Sequence, residues 1–229
     1  WLDSEPGPKG MSEEFGEAYN YGVFSFRTGN IYTAALLLQW LKWSLEIETP
    51  PEEIFEKNGR FFDPFRPAIQ PNGFSSREEL LAARRQTLTA IRSVIGQATV
   101  MVFTLGLTEG WRNSTGNYEY PVCPGTIAGE YDPDQHVFHN YTYPEILSQL
   151  QEVLKLLRSE NPKIRLLLTV SPVPLTATAA GKHVLVSTTY SKSVLRAVAG
   201  DLANAHSRVD YFPSYEIITG APYRAMFYE

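Results

Sequence analysis

Apolar and polar positions along the chain switch between two periods, and the switches lay out the expected elements. Val100 to Leu105 is a short, nearly continuous apolar run with β-branched and aromatic residues, as for a strand buried on both faces. Ile164 to Val170 reads the same way, and Val209 to Phe212 as a final strand. Helical spacing governs four other stretches. Ile31–Glu46 carries Ile31, Ala34, Ala35, Leu38, Leu41 and Leu45 on one side, and Pro50-Pro51 ends it. A second helix opens at Ser75 or Ser76, buries Leu81, Leu88, Ile91 and Ile95, and stops at Gly96. A third runs from Pro144-Glu145 to Asn161-Pro162, with Ile146, Leu147, Leu150, Val153, Leu154 and Leu157 on its apolar face. A fourth spans about Ser191 to Ala205, after a loop that reaches Thr189. Tyr21 to Phe26 is a candidate short strand ahead of the first helix. Strands and helices thus alternate over short connections, which predicts an α/β fold: three α/β/α layers around a mainly parallel sheet.

Two segments interrupt this rhythm. Residues 49–76 hold several prolines with Phe55, Phe61, Phe62 and Phe65, and read as an irregular excursion packed by its own rings. Residues 112–143 form an insertion rich in Gly, Pro, Asn and Tyr, in which His136 to Tyr141 alternates as one arm of a hairpin. Residues 1–20 read as an extended arm. With no repeat and no linker in view, residues 1–229 are expected to form a single domain.

Composition narrows the function classes. Hydrophobic residues at 43% and aromatics at 13% describe a globular chain. A net charge of −5, with no Lys/Arg run longer than a pair, gives no footprint for nucleic acid. No apolar run approaches the length of a membrane span. A lone cysteine, Cys123, excludes an intrachain disulfide and reads as a small loop or core residue.

Chemistry is expected where strands end, because open α/β sheets bind ligands beyond the carboxyl ends of their strands. Gly106-Leu107-Thr108-Glu109-Gly110-Trp111 follows the first buried strand and Ser171-Pro172-Val173-Pro174 the second. The first of these turns could equally be an ordinary turn with a capping Thr. Gly29 and Asn30 fall where helix-start amides would be free, so Asn30 is either a cap or part of an anion site. Gathered on one edge, these pieces would offer amide donors, the Thr108 and Ser171 hydroxyls, the Glu109 carboxylate and the Trp111 ring. Such a set suits a developing oxyanion and a sugar ring.

The remaining polar residues have plainer readings. His136 and His139 would point to opposite faces of a strand, so no metal site is expected there, and no cofactor is implied. His183 and His206 read as loop and helix-end residues, and Asp132-Pro133-Asp134 as a turn. Asn113-Ser114-Thr115 and Asn140-Tyr141-Thr142 match glycosylation acceptors, a triplet that also arises by chance. Lys192 and Arg196, one turn apart, read as a solvated face. Tyr118, Tyr120, Tyr131, Tyr141 and Tyr143 either pack the insertion or form a wall for sugar stacking.

Five ordered pieces carry a family resemblance. They are Gly29 to Thr33, Phe103 to Trp111, Ser171 to Pro174, Ser191 to Arg196 and Tyr211 to Glu216. Together they resemble the GSCFA family, which is related to the SGNH hydrolases, over most of residues 20–229. The resemblance implies a flavodoxin-like sheet and Ser–His chemistry: an esterase or O-acyltransferase acting on acyl esters of carbohydrate. Carried across, Gly29 matches the oxyanion glycine. Gly106 to Glu109 matches the next block, with Thr108 standing for its Asn and Glu109 for its Asp. Asn30, Gly106, Trp111 and Ser171 would then bind substrate. No Gly-Ser-Cys-Phe-Ala stretch and no Asp-x-x-His block is present. Both ends, at Trp1 and Glu229, read as cut, so the nucleophile and base are expected outside the given residues. The alternative is a non-catalytic glycan-binding or assembly module on the same fold. The expected partner is a carbohydrate or other acyl-ester substrate; compartment and oligomeric state stay open.

Overall fold

The structure, a computed structural model, describes residues 2–115 and 117–220. The terminal residues Trp1 and Glu229, which read as cut ends, lie outside the described residues. In chain order the first elements are α1 (Glu13–Ala18), α2 (Ala34–Ser44), β1 (Phe55–Lys57), β2 (Arg60–Phe62) and α3 (Arg77–Gln97). Then come β3 (Val100–Leu105), β4 (Glu109–Asn113), β5 (Glu119–Tyr120), β6 (His136–Asn140) and α4 (Tyr143–Glu160). The chain closes with β7 (Arg165–Val170), α5 (Val184–Ala205), β8 (Val209–Phe212) and α6 (Ser214–Thr219). Two compact units are assembled from separated stretches. The first takes Trp1–Ile31, Gln39–Ala98 and Trp111–Val137; the second takes Tyr32–Leu38, Thr99–Gly110 and Phe138–Glu229.

The second unit is α/β. Its sheet has the order β3-β7-β8, all parallel, with Val100 opposite Arg165, Leu105 opposite Val170, and Leu166 opposite Val209. Helix α5 packs on β7 and β8, and α4 packs on α5. The helices start where the sequence supplies caps. The Thr142 amide and hydroxyl both donate to Glu145, at 2.7 and 2.6 Å, a capping box that opens α4. The ring of His183 accepts the Leu185 amide at the head of α5, and His206 caps its end. Helix α5 therefore starts at Val184, earlier than the expected Ser191.

Strand β3 is buried on one face only, against expectation. Phe103 and Leu105 are 6% and 0% exposed, whereas Val100 and Val102 are 47% and 61% exposed. Across the register Asp210 and Phe212 of β8 are exposed on the same side, while Leu167 is half-buried and Thr169, between them and β3, is buried against Ser214. A continuous apolar run records only the residue types; with helices packed on one side, its alternate members stay wet.

The first unit is built on aromatic packing and one buried ion cluster. Trp40 meets Trp43 edge-on, Trp43 meets Phe65, and Phe65 stacks on Tyr120. Asp63, 1% exposed, sits between Arg66 and Arg84, each with a nitrogen 2.9 Å away. Burial alone would raise the Asp63 carboxyl, but the two guanidiniums override it and hold it below the usual carboxylate range. Helix α3 is capped by Ser76, whose hydroxyl accepts the Glu79 amide, and it buries Leu80 where Leu81 was expected.

Two expectations are corrected within this unit, and one motif match loses its chemistry. Residues 49–76 contain a hairpin, β1 against β2, closed by Asn58 and Gly59 at φ 53° and 71°. Asn-Gly between aromatic flanks is the strongest short hairpin signal, so this element was legible. Tyr21 to Phe26 makes no strand, because Gly22 turns the chain at φ 70° and Val23 and Phe24 face solvent. Asn113 is 5% exposed and donates to the Tyr120 hydroxyl, so the first glycosylation triplet presents no free acceptor.

Candidate functional site

The Gly106–Glu109 turn follows β3 directly, and its first three amides and two of its carbonyls are tied. The amides of Gly106 and Leu107 both donate to the Tyr32 carbonyl, at 3.0 and 3.1 Å. The Thr108 amide donates to the Ser191 hydroxyl at 3.1 Å, and the Thr108 carbonyl accepts from the Tyr141 amide at 2.7 Å. Lys192 Nζ donates to the Gly106 carbonyl at 2.8 Å. The turn is consequently rigid, and its own amides are engaged internally. That corrects the picture of Gly106 to Thr108 as free amide donors.

One donor is left over. Thr108 is 0% exposed, and its hydroxyl is buried without a hydrogen-bond partner. A buried hydroxyl in that state carries the desolvation cost with no compensation, and it is one of eight such side-chain atoms among the described residues. Glu109, half-buried, accepts a 2.6 Å hydrogen bond from the Thr178 hydroxyl and so fixes the loop after β7 to the start of β4. Ser171 lies beside the turn: its amide donates to the Leu105 carbonyl at 2.9 Å, and its hydroxyl accepts from the Val173 amide. Tyr32, Gly106, Thr108 and Ser171 are thus brought together within the second unit.

Helix α2 begins at Ala34, where the Thr33 hydroxyl accepts the Leu36 amide at 3.1 Å. Neither Gly29 nor Asn30 therefore stands at the helix start, and Thr33 does the capping expected of Asn30. Gly29 has φ 75° and accepts at its carbonyl from the Thr28 hydroxyl; Asn30 is exposed. Trp111, read as turn, lies in β4 opposite Tyr120, and its half-buried ring meets Tyr131 edge-on at 5.6 Å. Gly29, Asn30 and Trp111 all belong to the first unit.

Of the two residues under the turn, Lys192 was misread and Ser191 passed over. Ser191 and Lys192 are 0% and 1% exposed, so Lys192 is not on a solvated face. For Ser191 a signal was present: stepping back by four from Leu195 reaches Ser191 and then Ser187, all on the buried side of α5. Burial pulls the Lys192 ammonium down to about 8. Arg196, by contrast, stays at the surface against Glu216, with its guanidinium 4.1 Å from the centre of the Tyr211 ring.

The histidines have separate partners. His136 accepts the Asp132 amide, and His139 pairs with Glu145 at 2.8 Å. Burial raises the Cys123 thiol, which suits an inert residue. The tyrosines of the insertion are divided: Tyr118 and Tyr120 both donate to Glu53, while Tyr143 donates to Asp201. The GSCFA family model matches residues 10–229. No curated protein and no solved structure matches the chain.

Proposed function

The chain belongs to the GSCFA family, and on that premise we propose that it serves an SGNH-like esterase or O-acyltransferase acting on acyl esters of carbohydrate. In this reading the β3-β7-β8 sheet is part of a flavodoxin-like, three-layer core. A serine nucleophile and a histidine base come from outside the residues given. The serine oxygen adds to the ester carbonyl as the histidine takes its proton; the C–O bond to the sugar then breaks, and the sugar oxygen takes that proton back. Water or a second hydroxyl releases the acyl group by the same steps.

The unpartnered Thr108 hydroxyl carries this reading. It would donate to the carbonyl oxygen as negative charge builds there, once the neighbours that bury it open to admit the ester. The family resemblance also gives Gly29, in the first unit, an oxyanion role. Glu109 would fix the turn, and Ser171 and Gly106 would border the acyl ester. The Trp111–Tyr131 pair, with Tyr131 51% exposed, offers an aromatic surface to a sugar ring.

Thr108→Val separates catalysis from stability. Loss of one oxyanion donor lowers kcat by about 10²-fold or more. Stability should hold or rise, because an unsatisfied buried hydroxyl is replaced by a methyl. The measurement is hydrolysis of 4-nitrophenyl acetate by the intact protein, beside its thermal melt. Undiminished turnover in the valine variant would rule out the assigned role. A wild-type protein that binds glycans but cleaves no ester would favour the assembly-module alternative.

A further inference from the structure

The turn is gripped from below by two consecutive residues of α5. Ser191 takes the Thr108 amide and Lys192 takes the Gly106 carbonyl, both from fully buried positions. Burying a lysine this completely is costly unless its charge has a use, and a neutral side chain of similar length would fill the same space. We infer that Lys192 is a positioning residue for the Gly106–Glu109 turn, holding it through the Gly106 carbonyl. It also brings a poorly hydrated cation close to where Thr108 would meet the oxyanion. This second role rests on the acyl-transfer reading; the first does not.

Burial is the cause of the lowered Lys192 ionisation, with no carboxylate contributing. The charged groups on the surrounding elements are turned to other partners: Glu109 to Thr178, Arg196 to Glu216, Arg165 to Asp210, and Glu145 to His139. A charge-assisted bond to a carbonyl is stronger than a neutral one. The same peptide unit carries the Leu107 amide, so loss of the Lys192 proton should be felt there and at Thr108.

The test is NMR titration of the wild-type protein from pH 7 to 9. The Lys192 side-chain resonance and the Leu107 and Thr108 amide nitrogens should move together, with a midpoint near 8. Amides that stay fixed throughout, whether or not Lys192 titrates, overturn the inference. In Lys192→Met, hydrogen exchange at the Thr108 amide should quicken by about tenfold or more while Leu168 in β7 keeps its protection. Equal protection of Thr108 in both proteins also overturns it. If that variant does not fold, the wild-type titration decides. With an active intact protein, Lys192→Met should lower kcat at near-constant KM and flatten the rate profile between pH 7 and 9. Should the wild type cleave no acyl ester, the enzyme reading falls while the NMR result still decides the positioning role.

Discussion

A Cβ at Gly106 would lie 3.0 Å from the Tyr32 ring and 3.2 Å from its carbonyl, the oxygen that the turn amides use. Gly106→Ala should therefore cost about 1–3 kcal/mol by overpacking, read as a lower denaturation midpoint. Gly29 differs: a Cβ there would meet open space, and the cost lies in its φ of 75°. Gly29→Ala should cost about 1 kcal/mol, from backbone strain alone. Asp63 supports the other unit in a different way. Asp63→Asn leaves two buried guanidiniums short of a counter-charge, and should cost about 3 kcal/mol or more. Because the folded carboxyl ionises below its ordinary 3.8, its contribution is complete above that value and fades as pH falls through and below it. Single residues were the hardest thing to read from sequence. Lys192 and Asn113 look like surface groups in any window of their neighbours; only the packed helix and the β4–β5 pairing bury them.

At the scale of elements, periodicity located β3, β7, β8, α3 and α4 to within a residue or two, because each combines a clear apolar pattern with a local stop or cap. Apart from the Asn58-Gly59 hairpin, the missed features depended on other information. Helix α5 begins early because His183 caps it, and histidine is an uncommon cap. The face of β3 that stays open depends on where the helices settle, which no strand encodes by itself. The alternation along β3 has a direct test. Phe103→Ala should destabilise by about 3–5 kcal/mol, whereas Val102→Thr, one position earlier, should stay within about 0.5 kcal/mol in chemical denaturation. Equal penalties at both positions would mean that the open face is covered.

For the whole molecule, pH offers a readout of the site that needs no substrate. A buried lysine whose folded value is about 8, below its ordinary 10.5, binds fewer protons folded than unfolded between those limits. Its contribution therefore makes stability rise as pH climbs through that window. Tyr120, pushed up to about 12, and Tyr118 and Tyr211, also raised by burial, act in reverse above their ordinary 10.0. Between pH 8 and 10 the unfolding free energy of wild type should gain on that of Lys192→Met; parallel curves would show that the ammonium is solvated. The family was legible from motif order alone: four of the five pieces sit where a strand or helix begins or ends, and Ser191–Arg196 lies within α5.

The chain passes from one unit to the other five times, at 31/32, 38/39, 98/99, 110/111 and 137/138. No single peptide bond divides it into two self-sufficient halves. A protease nick at 98/99 would leave each fragment holding portions of both, able to regain a native state only by recombining with its counterpart. Split-protein reporters or domain swaps designed on contiguous boundaries would dismantle the turn at Gly106, which travels on a twelve-residue loan from one unit to the other.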